Sequence, residues 1–140
     1  MYLSLPYLLP YLLIFLQVIL AIFVWVKPFN KVMVVAGSAL VGVGCLYLTG
    51  VVVTSPWVLS PKVLLYFIVG AVQISYVVMV LFHRDESWRI AALAQPLILP
   101  FIVLAVALPV MGVGPVFMIS SPSMQWHIFS ATLAYALLTM

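Results

Sequence analysis

Apolar runs of about 20 residues recur along this chain, separated by short turns, and nothing else in the sequence restricts its fold so strongly. A helix rising 1.5 Å per residue needs about that many residues to cross roughly 30 Å of hydrocarbon. The runs are continuous rather than alternating, which selects helices over a barrel. Of the 140 residues, 68% are hydrophobic and 5% charged, with a mean hydropathy of +1.39. A water-soluble domain carries about a quarter of its residues as charges, because its surface must be solvated. The expected solvent for most of this surface is lipid, and the expected fold is all-α: a polytopic membrane helical bundle with four full transmembrane helices and a fifth that is short or truncated.

The spans are expected at about 8–26, 32–53, 63–82, 90–111 and 126–140, as one integral membrane domain covering 1–140. The N-terminal stretch lacks the basic region and small-residue cleavage site of a secretory signal, so it reads as a retained first helix. Tyr2, Tyr7, Tyr11 and Trp25 lie near its ends, where interfacial aromatics concentrate. In the second span Ser38, Gly42, Cys45 and Thr49 fall on one helical face, a small-residue seam suited to close helix packing. Cys45 is the only cysteine, which excludes an intrachain disulfide and a cysteine metal cluster. Gln73, Ser75 and Tyr76 in the third span are uncharged and are expected to bond neighbouring helices. Gln95, Pro96 and Pro100 interrupt the fourth, and the prolines predict a kink.

Both acids, Asp85 and Glu86, lie in the compact turn His83–Arg89, which reads as a solvated loop leading into the fourth helix rather than as a catalytic pair. No nucleophile with a base, metal-ligand cluster or phosphate-cradling glycine loop accompanies them, so no enzyme activity is expected. The formal charge of +3 is small and scattered, which argues against nucleic-acid binding. It does sort a topology. Lys27, Lys31, Arg84 and Arg89 fall on one side and Lys62 alone on the other, so the N-terminus and the loop before His127 are expected to be extracytoplasmic.

The last span carries the candidate site. His127, Ala131, Ala134 and Leu138 share a helical face with Ser130 beside them, placing an imidazole above a shallow small-residue strip. Ala131 and Ala134, like Ser38, Gly42 and Cys45, are expected to serve close packing. The span from Trp126 to Met140 measures about 22 Å, short of the bilayer core, and is expected to continue in a longer protein.

The stretch WHIFSATLAYALLTM resembles a helix of the cytochrome c assembly family, particularly its HemX-like and YpjD-like inner-membrane members. The shared features are a histidine at the outer end of a helix, then a small residue, leucine, alanine and tyrosine. The extracytoplasmic N-terminus, the short loops and the basic turn after the first helix are similar too. The resemblance implies heme handling or cytochrome maturation at the outer face of the bacterial inner membrane, with heme and cytochrome c maturation proteins as partners. The position matching the family's axial histidine is His127. Two departures stand out: Trp57 and Trp126 are isolated, where the family's best-known heme handlers have a tryptophan-rich loop, and the second helix reads GVGCLYL, without the histidine of some relatives. A second axial ligand would have to come from elsewhere, with Met124 or solvent among the options. The alternative reading is a non-catalytic membrane subunit or assembly factor whose small-residue faces dock partner transmembrane helices.

Overall fold

The computed structural model describes residues 5–26, 30–52, 61–82, 90–108 and 122–138. It is all-helical among these residues: α1 (Leu5–Phe23), α2 (Lys31–Val52), α3 (Pro61–Phe82), α4 (Ala91–Ala107) and α5 (Pro122–Leu138). The turns around Lys27, Trp57 and His83–Arg89, including Asp85 and Glu86, and the run Gly112–Ser121 lie outside the described residues, as do Thr139 and Met140.

Helix boundaries follow turn chemistry more closely than hydropathy. Asn30 caps α2: its Oδ1 accepts from the Val32 N–H at 3.0 Å, satisfying one of the donors that a first turn leaves unpaired. Pro61 and Pro122 each occupy the first position of a helix, where a missing N–H costs nothing and the fixed φ suits the helix. As a result α5 begins four residues before the expected Trp126. At the other end of α4, Leu108 is extended (φ −70°, ψ 137°), the conformation imposed on a residue that precedes proline. The fourth helix therefore stops at Ala107 instead of running to Met111, and spans 17 residues. Pro96 and Pro100 lie inside it without dividing it.

Only α2 and α3 are long and apolar enough to cross a membrane, with spans of 21 and 22 residues, whereas the apolar stretches of α1 and α4 are shorter. Of the four full transmembrane helices expected, two reach that length among the described residues. The molecule has two long apolar helices flanked by shorter ones.

Helices α1 to α4 form a closed ring, each packed against the next and α4 against α1, while α5 rests on α3. Close approach of α2 and α3 depends on two glycines. A Cβ on Gly42 would come within 3.1 Å of the Gln73 Cβ, and one on Gly70 within 3.2 Å of the Gly42 carbonyl oxygen. A continuous core of Leu13, Leu20, Val41, Cys45, Leu48, Tyr66, Val69, Ile98, Ile102 and Ala105 fills the ring. Large apolar side chains such as Phe15, Leu40 and Leu97 point outward, a distribution that suits an apolar solvent.

Candidate functional site

Two polar regions stand out, one inside the ring and one on α5. Inside, every helix of the ring contributes one uncharged polar side chain to a single cluster: Gln17, Ser38, Gln73 and Gln95, all fully buried. Gln17 Nε2 donates to the Gln95 main-chain oxygen at 2.8 Å and to Gln95 Oε1 at 2.9 Å. Gln73 Nε2 donates to Gln17 Oε1 at 2.8 Å and to Gln95 Oε1 at 3.0 Å. Gln95 Nε2 donates to Ser38 Oγ at 2.9 Å and to Gln73 Oε1 at 3.2 Å.

Each amide nitrogen has two hydrogens and each makes two bonds, while every amide oxygen accepts at least one. A buried polar network is stabilising only when its members are satisfied, and these donors all are. The cluster has the chemistry of a fastener. It carries no charge, and the hydrogens of its three amide nitrogens are committed within it.

The seam on α2 belongs to this interior. Ser38, Gly42, Cys45 and Thr49 are all buried. Ser38 accepts from Gln95, Gly42 lies against Gln73 and Ile74, Cys45 joins the apolar core, and the Thr49 hydroxyl donates to the Cys45 carbonyl at 2.9 Å. All four positions are occupied by the chain's own helices.

The α5 face is the opposite case. His127 lies in its second turn and is exposed, as are Ser130, Ala134 and Leu138, with Ala131 half-buried. Ala134 is exposed in the single chain, since α5 meets the ring through α3 alone among the larger contacts and turns this strip away from it. The Ser130 hydroxyl donates to the His127 carbonyl at 2.9 Å, a local bond to the preceding turn that leaves the imidazole unconstrained by Ser130. The structure does not bring His127 together with Ser38, Gly42 or Cys45.

An exposed imidazole above small side chains fits one axial position of a heme iron, since either ring nitrogen can bind metal and small neighbours let a flat macrocycle approach. Met124 does not fit the other. It precedes His127 by three residues on the same helix, so the two side chains emerge on one face about 5–6 Å apart, whereas axial ligands must approach from opposite sides of the ring plane. Among the described residues no group of three or more His, Cys, Asp or Glu side chains could hold a metal ion.

Gln17 is the functional-looking residue that sequence reasoning missed. A single glutamine within the 19 apolar-rich residues of α1 breaks no periodicity and forms no motif. The available signal was the recurrence of one glutamine within each of three apolar helices, at 17, 73 and 95. Lys62, which the sequence reading used only to sort topology, is the second residue of α3, and its Nζ donates to the Leu108 carbonyl at 2.9 Å and reaches the Val106 carbonyl at 3.5 Å. A cation bonded to the last carbonyls of a helix also complements the negative end of its dipole.

No family model matches the chain, and no curated protein or solved structure is significantly similar to it.

Proposed function

We propose that this chain is a multi-pass protein of the bacterial inner membrane, of the cytochrome c assembly type, which handles heme as a cargo at the extracytoplasmic face and uses His127 as an axial ligand. One observation carries the reading. Among the described residues His127 is the one histidine, and its imidazole is exposed on a face of α5 that the ring leaves uncovered. The ring interior is occupied by the satisfied amide cluster, so a flat ligand has to be met on the outside. The distribution of lysine and arginine supports an extracytoplasmic position for the loop before His127.

A lone ligand on an open face suits a cargo that is received and passed on. The iron and any redox chemistry belong to the heme. The chain supplies an imidazole and a low strip formed by Ser130, Ala131 and Ala134. In this reading it is a carrier and not an enzyme. The alternative, a subunit that docks partner helices through its small-residue seam, loses that seam to the chain's own packing.

The test is spectroscopic. The protein, expressed from its full gene in a heme-replete bacterium and purified in detergent, is expected to show a Soret band that His127→Ala abolishes. A band of equal intensity in that variant would remove His127 from the function.

A further inference from the structure

Glycine contacts fix how far along one another the ring helices stand. Leu13 of α1 lies against Gly44 of α2 and Leu20 against Gly37, so these two helices run antiparallel in a single register. Gly42 lies against Gln73 and Ile74, and Gly70 against Leu46, which sets α3 antiparallel to α2. The bonds from Gln73 to Gln95 and from Lys62 to Leu108 carry the register on to α4.

In that register the amide cluster occupies one level of the ring, beside Gly42. Phe15, Leu40 and Leu97 share the level, each two residues along its helix from Gln17, Ser38 or Gln95. Two residues turn a helix by about 200°, so where the polar side chain points inward its apolar neighbour points outward at the same depth. All three are exposed, one on each of α1, α2 and α4, while α5 rests on the fourth helix of the ring.

Polar and aromatic groups bound this apolar waist at both ends. From Gly42 back to Lys31 is about 16 Å of helix, and from the facing stretch of α3 back to Lys62 about 15 Å in the opposite direction. The two lysines thus stand about 30 Å apart, the thickness of a bilayer's hydrocarbon core. Trp25 is exposed at the Lys31 end, and Tyr7, Tyr11 and Tyr47 are exposed toward the Lys62 end. Tryptophan and tyrosine concentrate where hydrocarbon meets headgroups.

We propose that the outer face of the ring is a lipid-contact girdle: Phe15, Leu40 and Leu97 meet the ends of phospholipid acyl chains at the bilayer midplane, Trp25 sits in one headgroup region, and Tyr7, Tyr11 and Tyr47 sit in the other. This girdle rests on the membrane-spanning part of the reading above and not on heme. Lipid is the occupant that fits, because a partner helix would cover one side, whereas large apolar side chains are exposed at one depth on three helices of a closed ring. The amides then lie where water is scarcest, and the ring itself supplies their partners.

The experiment is depth-resolved fluorescence quenching of the full chain in phosphatidylcholine vesicles whose acyl chains carry bromine either near the carbonyl or near the chain end. With Trp57, Trp88 and Trp126 replaced by phenylalanine, Trp25 is the sole reporter, and bromine near the carbonyl is expected to quench it most. With Trp25 replaced as well, reporters introduced singly as Phe15→Trp, Leu40→Trp and Leu97→Trp are expected to be quenched most from the chain end, about 12 Å deeper than Trp25. Trp25 quenched most from the chain end overturns the proposal without any girdle variant having to fold. A girdle reporter that neither lipid quenches also overturns it, since protein then covers that face. If neither lipid quenches any of the four reporters, the membrane reading falls together with the girdle. The expected quenching pattern in a chain that shows no Soret band supports the girdle and counts against heme alone.

Discussion

The glutamine cluster and the His127 face treat polarity in opposite ways, and the contrast separates what holds this molecule together from what it can offer to a ligand. Gln17, Gln73 and Gln95 are fully buried and bond one another and Ser38 across four helices. His127 is exposed on a helix that packs mainly on α3. Burial with complete pairing gives rigidity and no reactivity. Exposure without packing gives reactivity at little structural cost. A substitution should therefore damage either stability or ligand chemistry, but not both.

The largest expected effect is at Gln95. Replacing it by Leu removes the acceptor or donor of four side-chain bonds and strands the amide of Gln73 in the core. Interhelical hydrogen bonds in membrane proteins average about 0.6 kcal/mol, and an unsatisfied buried group costs about 1–3 kcal/mol, so a loss of about 2–4 kcal/mol is expected. Denaturant-driven unfolding in mixed micelles, followed by circular dichroism, measures it. A loss below about 0.5 kcal/mol, the range of an ordinary surface substitution, would break the comparison.

Gly70→Ala should come next. The added Cβ meets the Gly42 carbonyl oxygen at 3.2 Å and Leu46 Cγ at 2.8 Å, and backbone yields less readily than a side-chain tip. Overpacking of this kind costs about 1–3 kcal/mol, and the same unfolding measurement reads it. Asn30→Ala removes the cap of α2 and is expected to cost about 1 kcal/mol, seen as faster amide hydrogen exchange confined to the first turn of that helix. The smallest effect on stability belongs to His127→Ala, expected within about 0.5 kcal/mol of the unaltered chain, while heme absorbance is lost. If His127→Ala instead unfolds the protein, the imidazole is structural and the contrast with the cluster collapses.

The helical class and the order of the five helices were legible in the apolar runs, because hydropathy reports burial or lipid contact over long windows. Boundaries were less so. They were set by Pro61, Pro122 and the residue before Pro109, which act through backbone geometry that hydropathy does not weigh. Interhelical bonding by Gln73 was readable, since an uncharged polar residue in an apolar helix has few other places to go. Its partners were not, because Gln17 and Gln95 meet only after the chain has turned back on itself. Lys62 entered the sequence reading only as a topology charge, because its carbonyl partners lie at the end of α4, far along the chain. Small residues on α2 and α5 looked alike in sequence, yet the structure buries Ser38 and Gly42 and exposes Ala134. The difference lies in which helices stand opposite them, information that no single helix contains.

The bond from Gln17 to Gln95 also has a consequence for biogenesis. The two residues are 78 positions apart, so when α1 leaves the ribosome its amide has no partner, and none of the later glutamines has yet been made. Gln73 on α3 can supply a donor to its oxygen, but the Gln17 N–H groups have their acceptors only on Gln95 and wait for α4. Synthesis of α4 is therefore the step at which the ring closes, and a nascent chain that stalls before Gln95 would leave the Gln17 N–H groups without their acceptors, a mark that quality-control machinery could recognise.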